Sequence, residues 1–108
     1  MNVKTLKSNL KSIVNDGNEM TPINFIDQDG DSYLITDCYL DDDGDICLEA
    51  GEIEGPEYSA SDLLYSLRGY HGNTYVYVYC VFDDLICDIK RGWYIDDDYS
   101  VCMDMYYN

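Results

Sequence analysis

The chain has 108 residues, with 22 Asp and Glu against 6 Lys and Arg, so its formal net charge is -16 at pH 7. A chain of this length forms one domain with one core, and a hydrophobic content of 46%, including 12 Tyr, is enough to fill it. The charge argues against direct binding to nucleic acid, whose phosphates it would repel, and no apolar run approaches the ~18 residues of a membrane span. We therefore predict a single folded domain, residues 1–108, that binds neither nucleic acid nor membrane directly.

The predicted elements follow one order twice along the chain. Leu6, Leu10 and Ile13 recur at helical spacing near the N-terminus, and Ser59 or Ser61 can cap a second helix. Apolar runs separated by Asp-Gly or Asp-Asp turns predict β-strands after each helix, because such turns accommodate a positive φ. The predicted helices are residues 4–14 and 60–67, and the predicted strands are residues 22–27, 33–40, 46–49, 74–82, 85–90, 93–95 and 100–105.

An internal repeat relates the two series. The segment CYLDDDGDICLE, residues 38–49, aligns with WYIDDDYSVCMD, residues 93–104, and five of the twelve positions are identical. At nearly the same offset, residues 21–25 fall opposite residues 74–78. The helix residues Leu6, Leu10 and Ile13 likewise fall opposite Ala60, Leu64 and Leu67.

These patterns together predict an α+β fold of two tandem helix-plus-three-strand repeats. The halves are residues 1–49 and 59–108, and the connector is residues 50–58, where two Gly and one Pro occur. Because tight turns join the strands, we expect the sheet or sheets to be antiparallel, with both helices packed on one apolar face.

Two Asp-rich segments, residues 27–31 and 41–45, have the alternating Asp followed by Gly that begins an EF-hand calcium loop. The spacing does not continue, because with Gly44 at the sixth position Tyr39 and Ala50 occupy the first and twelfth, where carboxylates belong. Solvated hairpin turns account for the same residues. We predict no metal and no cofactor, and weak calcium binding at these turns stays open as an alternative.

The cysteines indicate a reducing compartment. The N-terminal segment lacks the apolar stretch of a signal peptide, and the chain has an odd number of cysteines without Cys-x-x-Cys spacing. We therefore predict a cytosolic protein, located in the host cytosol if the chain is phage-encoded. Three cysteines lie among apolar residues, which predicts small buried hydrophobes: Cys47, Cys87 and Cys102.

Tyrosines alternate with apolar residues in the segment TYVYVYCVF, residues 74–82. The period of two places Tyr75, Tyr77 and Tyr79 on one side of a strand, with Val76 and Val78 on the other. The tyrosine side is either an ordinary solvated sheet surface or a protein-binding face, since Tyr is enriched in interface hot spots. The sequence leaves both interpretations open.

The carboxylates are concentrated in one part of the chain. Residues 1–15 contain three Lys and no acid, and all 22 acids lie from Asp16 onward. In an extended strand, residues i and i+2 share a face about 6.6 Å apart, so rows of acids can imitate successive phosphates. Acidity can serve solubility, but self-repulsion at this charge costs stability and favours a binding role. The predicted partner-binding residues are Asp41, Asp42, Asp43, Asp45, Asp96, Asp97, Asp98, Glu52, Glu54 and Glu57, together with Tyr75, Tyr77 and Tyr79.

No catalytic motif stands out. His71, the only histidine, lies beside Gly72 in a predicted turn, and the sequence has neither a nucleophile elbow nor a Gly-rich phosphate loop. With so many carboxylates, no pair is distinguished as a general acid and base. We predict that the protein is not an enzyme.

The first half resembles a class of small proteins from phages and other mobile elements. The resemblance covers residues 3–49 and rests on the helix VKTLKSNL, the Asp29-Gly30 hairpin and the strand YLITD at residues 33–37. In size, acidity and lack of a catalytic motif, the whole chain is also similar to phage-encoded inhibitors of bacterial defence, including anti-CRISPR proteins and DNA mimics. Neither resemblance carries a functional residue over to this chain.

The leading hypothesis is a non-enzymatic inhibitor that occupies the basic nucleic-acid-binding surface of a partner protein, such as a host defence nuclease. The alternative is a structural or assembly module whose Tyr-rich face mediates docking or self-association, for example as a homodimer, with the acidity serving only solubility.

Overall fold

A computed structural model describes residues 1–18, 20–26, 31–51, 58–95 and 101–107, with the backbone alone described at 90–95 and 101–107. A helix followed by three strands occurs twice, and the predicted α+β class is confirmed. The helices are α1, Val3–Asn15, and α2, Ala60–Ser66; the strands are β1, Ile23–Ile26, β2, Ser32–Leu40, β3, Ile46–Gly51, β4, Val76–Cys80, β5, Leu85–Ile95, and β6, Val101–Tyr107.

One predicted break in the second half is wrong. We predicted separate strands over residues 85–90 and 93–95, but β5 runs through both as one strand. The register of β5 against β6 shifts between Ile89 and Trp93, and such an irregularity accommodates extra residues without ending the strand.

The amphipathic pattern of α1 explains its position. Val3, Leu6 and Leu10 are fully buried and Ile13 nearly so, because spacings of three and four residues place them on one helix face. The Asn2 side chain accepts a hydrogen bond of 2.8 Å from the backbone N–H of Thr5 and so caps the helix.

Of the two candidate caps for α2, the structure uses Ser59. The Ser59 hydroxyl accepts from the Asp62 N–H and the Asp62 carboxylate accepts from the Ser59 N–H, both at 3.1 Å, which forms a capping box. Counted from the caps, the buried residues have the same spacing, so Leu6 corresponds to Leu63. The predicted alignment placed Leu6 opposite Ala60 instead, which differs by three residues from the correspondence that the caps give.

The six strands form a closed barrel in chain order, because β1 pairs with β6 as well as with β2. Strands joined by short turns are antiparallel, but β3 with β4 and β1 with β6 are parallel. The prediction of a wholly antiparallel sheet is wrong. A tight turn fixes the direction only of the strands that it joins, whereas the long connection through α2 allows β3 and β4 to run parallel.

The two parallel pairs have equivalent registers. Ile46 of β3 lies opposite Val76 of β4, and Val101 of β6 lies opposite Ile23 of β1. The sequence alignment of the halves matches Ile46 with Val101 and Val76 with Ile23. If each residue is replaced by its aligned counterpart in the other half, the pairing of Ile46 with Val76 becomes the pairing of Val101 with Ile23.

Each helix begins against the first strand of the other half. Backbone hydrogen bonds join the start of α1 to the start of β4, and the start of α2 to the start of β1, at equivalent positions. The bonds are Val3 N to Thr74 O at 2.9 Å, Val76 N to Met1 O at 2.8 Å, Ala60 N to Thr21 O at 3.2 Å, and Ile23 N to Tyr58 O at 3.0 Å.

The apolar residues of both helices and of the strands form one core. Phe25 is its largest fully buried member, and it packs with Leu6 and Leu10 of α1 and Leu63 of α2 in the same cluster. In the part of the chain that the structure describes, neither helix has the length and apolar content needed to span a bilayer.

Candidate protein-binding surface

The outer side of β4 carries the tyrosines, as the alternation predicted. Val76 and Val78 are fully buried, whereas Tyr75 is 37% exposed and Tyr77 and Tyr79 are half-buried. The tyrosine rings therefore lie on the outside of the barrel, and the Tyr75 and Tyr77 rings stack with centroids 6.3 Å apart.

Each of these tyrosines donates a hydrogen bond to a carboxylate on a neighbouring element. Tyr75 bonds to Asp88 of β5, Tyr79 bonds to Asp84 in the β4–β5 turn, and Tyr77 bonds to Asp41 in the β2–β3 turn at 2.7 Å. On the adjacent strands, Tyr39 of β2 bonds to Glu49 of β3 at 3.1 Å. We call these residues the tyrosine-carboxylate face: Tyr39, Asp41, Glu49, Tyr75, Tyr77, Tyr79, Asp84 and Asp88.

Asp41 organises the turn between β2 and β3. Its Oδ1 accepts hydrogen bonds from the backbone N–H groups of Asp43 and Asp45, both at 2.9 Å, while its Oδ2 accepts from Tyr77. The hydrogen bond from the Asp45 backbone, followed by the one from Tyr77, lowers the pKa of Asp41, because both stabilise the charged form. Gly44 has a φ of +84° and supplies the left-handed residue that the turn requires.

Three phenols of this face, those of Tyr39, Tyr77 and Tyr79, have pKa values above the ordinary value of 10.0. The pKa of Tyr77 is raised by burial and by its hydrogen bond to Asp41, and the pKa of Tyr79 is raised chiefly by its bond to Asp84. A hydrogen bond with the Cys47 thiol, followed by burial, raises the pKa of Tyr39. Each hydroxyl therefore stays a donor, which keeps the carboxylate beside it in a fixed position.

Cys47 lies on the outer side of β3 between two of these rings. It is opposite Tyr39 on one neighbouring strand and opposite Tyr77 on the other, and only 1% of it is exposed. Burial raises the pKa of the Cys47 thiol, although hydrogen bonds with Tyr39 and Tyr77 act the other way. Cys47 and Cys87 are the small buried residues that we predicted, while the side chain of Cys102 lies outside those described.

An apolar cluster adjoins the face at the β4–β5 turn. Val81, Phe82, Leu85 and Ile86 are between 40% and 55% exposed, and they flank the two acids of the turn. Ile86 lies opposite Tyr79, so this cluster, which we call the hairpin tip, is continuous with the tyrosine-carboxylate face. Exposed apolar clusters with a polar rim are typical of protein interaction sites.

Charge is segregated between the strands and the helices. Of the twelve carboxylates whose side chains are described, ten belong to β2–β5 or to the turns beside these strands. The cations with described side chains are Lys4, Lys7 and Lys11 of α1 and Arg68, which follows α2. The outer side of β2–β5 is therefore the acidic side of the described molecule.

The predicted site residues divide into three groups. Tyr75, Tyr77 and Tyr79 lie together on the face. The acids at 41–45 lie in the β2–β3 turn, as the hairpin-turn interpretation predicted, but the turn reverses the chain there, so the extended, phosphate-like row expected of them is wrong. The remaining predicted acids lie outside the described residues: Glu52, Glu54, Glu57, Asp96, Asp97 and Asp98.

Sequence reasoning missed several members of this surface. Tyr39, Glu49 and Asp88 occupy outward positions on β2, β3 and β5, and the period of two could have identified them once the neighbouring strands were known. The hairpin tip had a local signal, because the turn VFDDLI, residues 81–86, has apolar residues where turns are usually polar.

Among the described residues, no three His, Cys, Asp or Glu side chains are grouped as metal ligands. His71 is exposed, and its Nδ1 accepts a hydrogen bond of 3.1 Å from the backbone N–H of Asn73, so it stabilises its own turn.

Comparisons with protein-family models, with curated proteins and with solved structures gave no match to this chain.

Proposed function

We propose that this chain is a non-enzymatic inhibitor whose tyrosine-carboxylate face occupies the basic nucleic-acid-binding surface of a partner protein, such as a host defence nuclease. The proposal rests on one observation: Tyr75, Tyr77 and Tyr79 each hold a carboxylate of a neighbouring turn or strand by a hydrogen bond. Fixed carboxylates lose less conformational entropy on binding than freely rotating ones, so they suit a cationic groove.

The distribution of charge indicates which side of the protein would face the partner. The described cations lie on or next to the helices, so the acidic strands can approach a basic groove without like charges facing each other. Electrostatic attraction of this kind speeds association and makes it sensitive to salt. We therefore expect the partner to bind the β2–β5 side and not the helix side.

The hairpin tip supports a mixed interface. Phe82 is 55% exposed and Ile86 51% exposed, directly beside the face. Apolar anchors of this size supply much of the affinity in protein interfaces, while charges around them supply specificity and on-rate. The partner's surface would then combine Lys and Arg with an apolar depression that receives Phe82.

The test is capture of proteins from a bacterial lysate on the immobilised chain at low salt, followed by elution with duplex DNA. If the function is correct, nucleic-acid-binding proteins are released by DNA and by salt, and mass spectrometry identifies them. Captured proteins that resist both treatments would contradict DNA mimicry, because a true mimic and DNA compete for one site.

Charge reversal provides the matched controls. Asp42→Lys and Asp43→Lys change exposed side chains of the β2–β3 turn, whereas Asp41 is left intact because its carboxylate holds the turn together. Asp16→Lys makes the same change of charge at the C-cap of α1, where a cation is tolerated. We expect the turn variants to lose the captured partner and the Asp16 variant to keep it.

The hairpin tip also favours the second candidate function, an assembly module. Val81, Phe82, Leu85 and Ile86 could be buried by a second copy of the chain. Light scattering at low and at physiological salt distinguishes the two functions. A dimer that Phe82→Ser dissociates favours assembly, and a monomer favours the inhibitor.

We also infer that the two halves are copies of one unit. Support comes from the equivalent registers of the two parallel pairs, in which Ile46 with Val76 corresponds to Val101 with Ile23. The N-caps give further support, because Asn2 forms a bridge with Tyr75 and Ser59 forms the corresponding bridge with Pro22.

A further inference from the structure

A shallow cavity that is open to solvent lies beside the lysines of α1, whose charge is opposite to that of the tyrosine-carboxylate face. Its volume is about 330 Å³, and it is formed between α1 and the loop that follows α2. The lining residues are Lys4, Lys7, Ser8, Lys11, Tyr70 and Gly72.

Helical spacing brings the three lysines together. Positions i, i+3 and i+7 lie within about 60° of arc on an α-helix, so Lys4, Lys7 and Lys11 share one face. Lys7 is half-buried, while the other two are exposed. The loop at Gly72 forms the opposite wall of the cavity and lies close to α1. The Lys4 N–H donates to the Gly72 carbonyl at 3.0 Å. If Gly72 had a Cβ, that atom would lie 3.2 Å from the Lys4 Cβ.

The charge of this cavity is unusual for the chain. The protein has 22 acids, yet none of the six lining residues is acidic and residues 1–15 contain none. Lysines at i, i+3 and i, i+4 repel one another, and a lysine in the first helical turn opposes the helix dipole. In α2 the first turn carries Asp62 instead. This arrangement costs helix stability, and an anion bound beside the three lysines would offset their repulsion.

We propose that this cavity binds a small anion that carries two or more phosphate groups. Lysine ammonium groups bind phosphate as point charges. Lys4 and Lys11 are separated by about 10 Å along the helix axis, so an anion with several phosphate groups meets all three ammonium groups where they stand, whereas a single phosphate must draw them together against their mutual repulsion. A long polyanion such as DNA would extend over the acidic strands and be repelled, whereas a small one stays within the screening length of the lysines.

The probe is tripolyphosphate, titrated into the full chain at fixed ionic strength by calorimetry, with amide chemical shifts as a second readout. We expect saturable binding, with shifts confined to α1 and residues 70–72. Orthophosphate should bind at least about tenfold more weakly, because it contacts fewer lysines. Absence of heat and of shifts at millimolar tripolyphosphate would overturn the proposal, and so would equal affinity for orthophosphate or for a short DNA duplex.

Substitution of the lysines tests whether tripolyphosphate binds in this cavity. Lys7→Gln should weaken tripolyphosphate binding by about tenfold, and replacement of all three lysines by Gln should abolish it. Arg68→Gln is the matched control, since Arg68 has the same position relative to the cap of α2 as Lys11 has in α1, and its guanidinium lies over the Tyr65 ring, outside the cavity. An equal loss of affinity in the Arg68 variant would show only nonspecific attraction and refute the site. Melting curves check the fold, which these changes at exposed and half-buried positions should leave intact.

Discussion

The hydroxyl of Tyr77 donates a hydrogen bond of 2.7 Å to Oδ2 of Asp41, 36 residues earlier in the chain. Asp41 belongs to the first half and Tyr77 to the second, and the parallel pairing of β3 with β4 brings them together. The bond fixes the β2–β3 turn to the middle of β4. It therefore links the stability of the barrel to the position of the acids that we propose for binding.

Replacement of Tyr77 by Phe should destabilise the protein. The change removes the donor to Asp41 while keeping the ring, so we expect a loss of about 1 kcal/mol in the free energy of unfolding. Urea unfolding measures it. Tyr65→Phe is the control, because Tyr65 is 65% exposed on α2, and an equal loss in that variant would show that the Asp41 bond contributes nothing.

Asp41 should make stability depend on acid pH. Its pKa in the folded protein lies below the ordinary value of 3.8, so its contribution is complete above that value and is lost as the pH falls through the folded pKa. Asp41→Asn keeps an acceptor oxygen but removes the titration, so its unfolding free energy should fall less steeply below about pH 4. Urea titrations across the acid range compare the two proteins, and parallel curves would contradict the assignment.

The tyrosines should make stability depend on alkaline pH. The pKa values of Tyr39, Tyr77 and Tyr79 lie above the ordinary value of 10.0, so their contribution is complete below pH 10 and is lost as the pH rises towards the folded pKa values. The part of the tyrosinate absorbance that comes from these three residues should therefore appear above pH 10, together with the unfolding followed by circular dichroism. Full titration of all tyrosines in the folded protein near pH 10 would refute this.

The halves should not fold separately. The first turn of α1 is bonded to β4 and that of α2 to β1, so a cut within the connector leaves each half without partners for its helix and for its first strand. We expect fragments 1–54 and 55–108 to be unfolded alone and to regain helical circular dichroism when mixed. A folded signal from either fragment by itself would argue against this interlocked arrangement.

Core and surface apolar residues should respond differently to truncation. Leu63→Ala removes a fully buried side chain and should cost about 2–5 kcal/mol, while Ile86→Ala at the hairpin tip should change stability by less than about 0.5 kcal/mol. Chemical unfolding measures both. A large loss for Ile86→Ala would mean that the tip is structural, and partner capture with the same variant tests its role in binding.

Local sequence patterns were sufficient to predict most of the helices and strands and which side of each is buried. The spacing of Leu6 and Leu10 predicted the buried side of α1, and the alternation of Val76 with Tyr77 predicted the two sides of β4. Such patterns are readable because a helix or strand places residues on its faces at a fixed period. The candidate site was predictable only in part, since the tyrosines were identified and the carboxylates bonded to them on other strands were not.

The amino-acid sequence by itself determined the α+β class, the positions of the helices and of the strands apart from the unbroken β5, the turn at Gly44 and the concentration of acid after residue 15. Only the tertiary structure decided the parallel pairing of β3 with β4, the closure of β1 onto β6, and the pairing of Tyr77 with Asp41. The reason is physical: hydrogen bonds and side-chain periodicity within a segment depend on its own residues. Contacts between segments depend instead on which arrangement buries the apolar residues of both halves in one core, and no single segment contains that information.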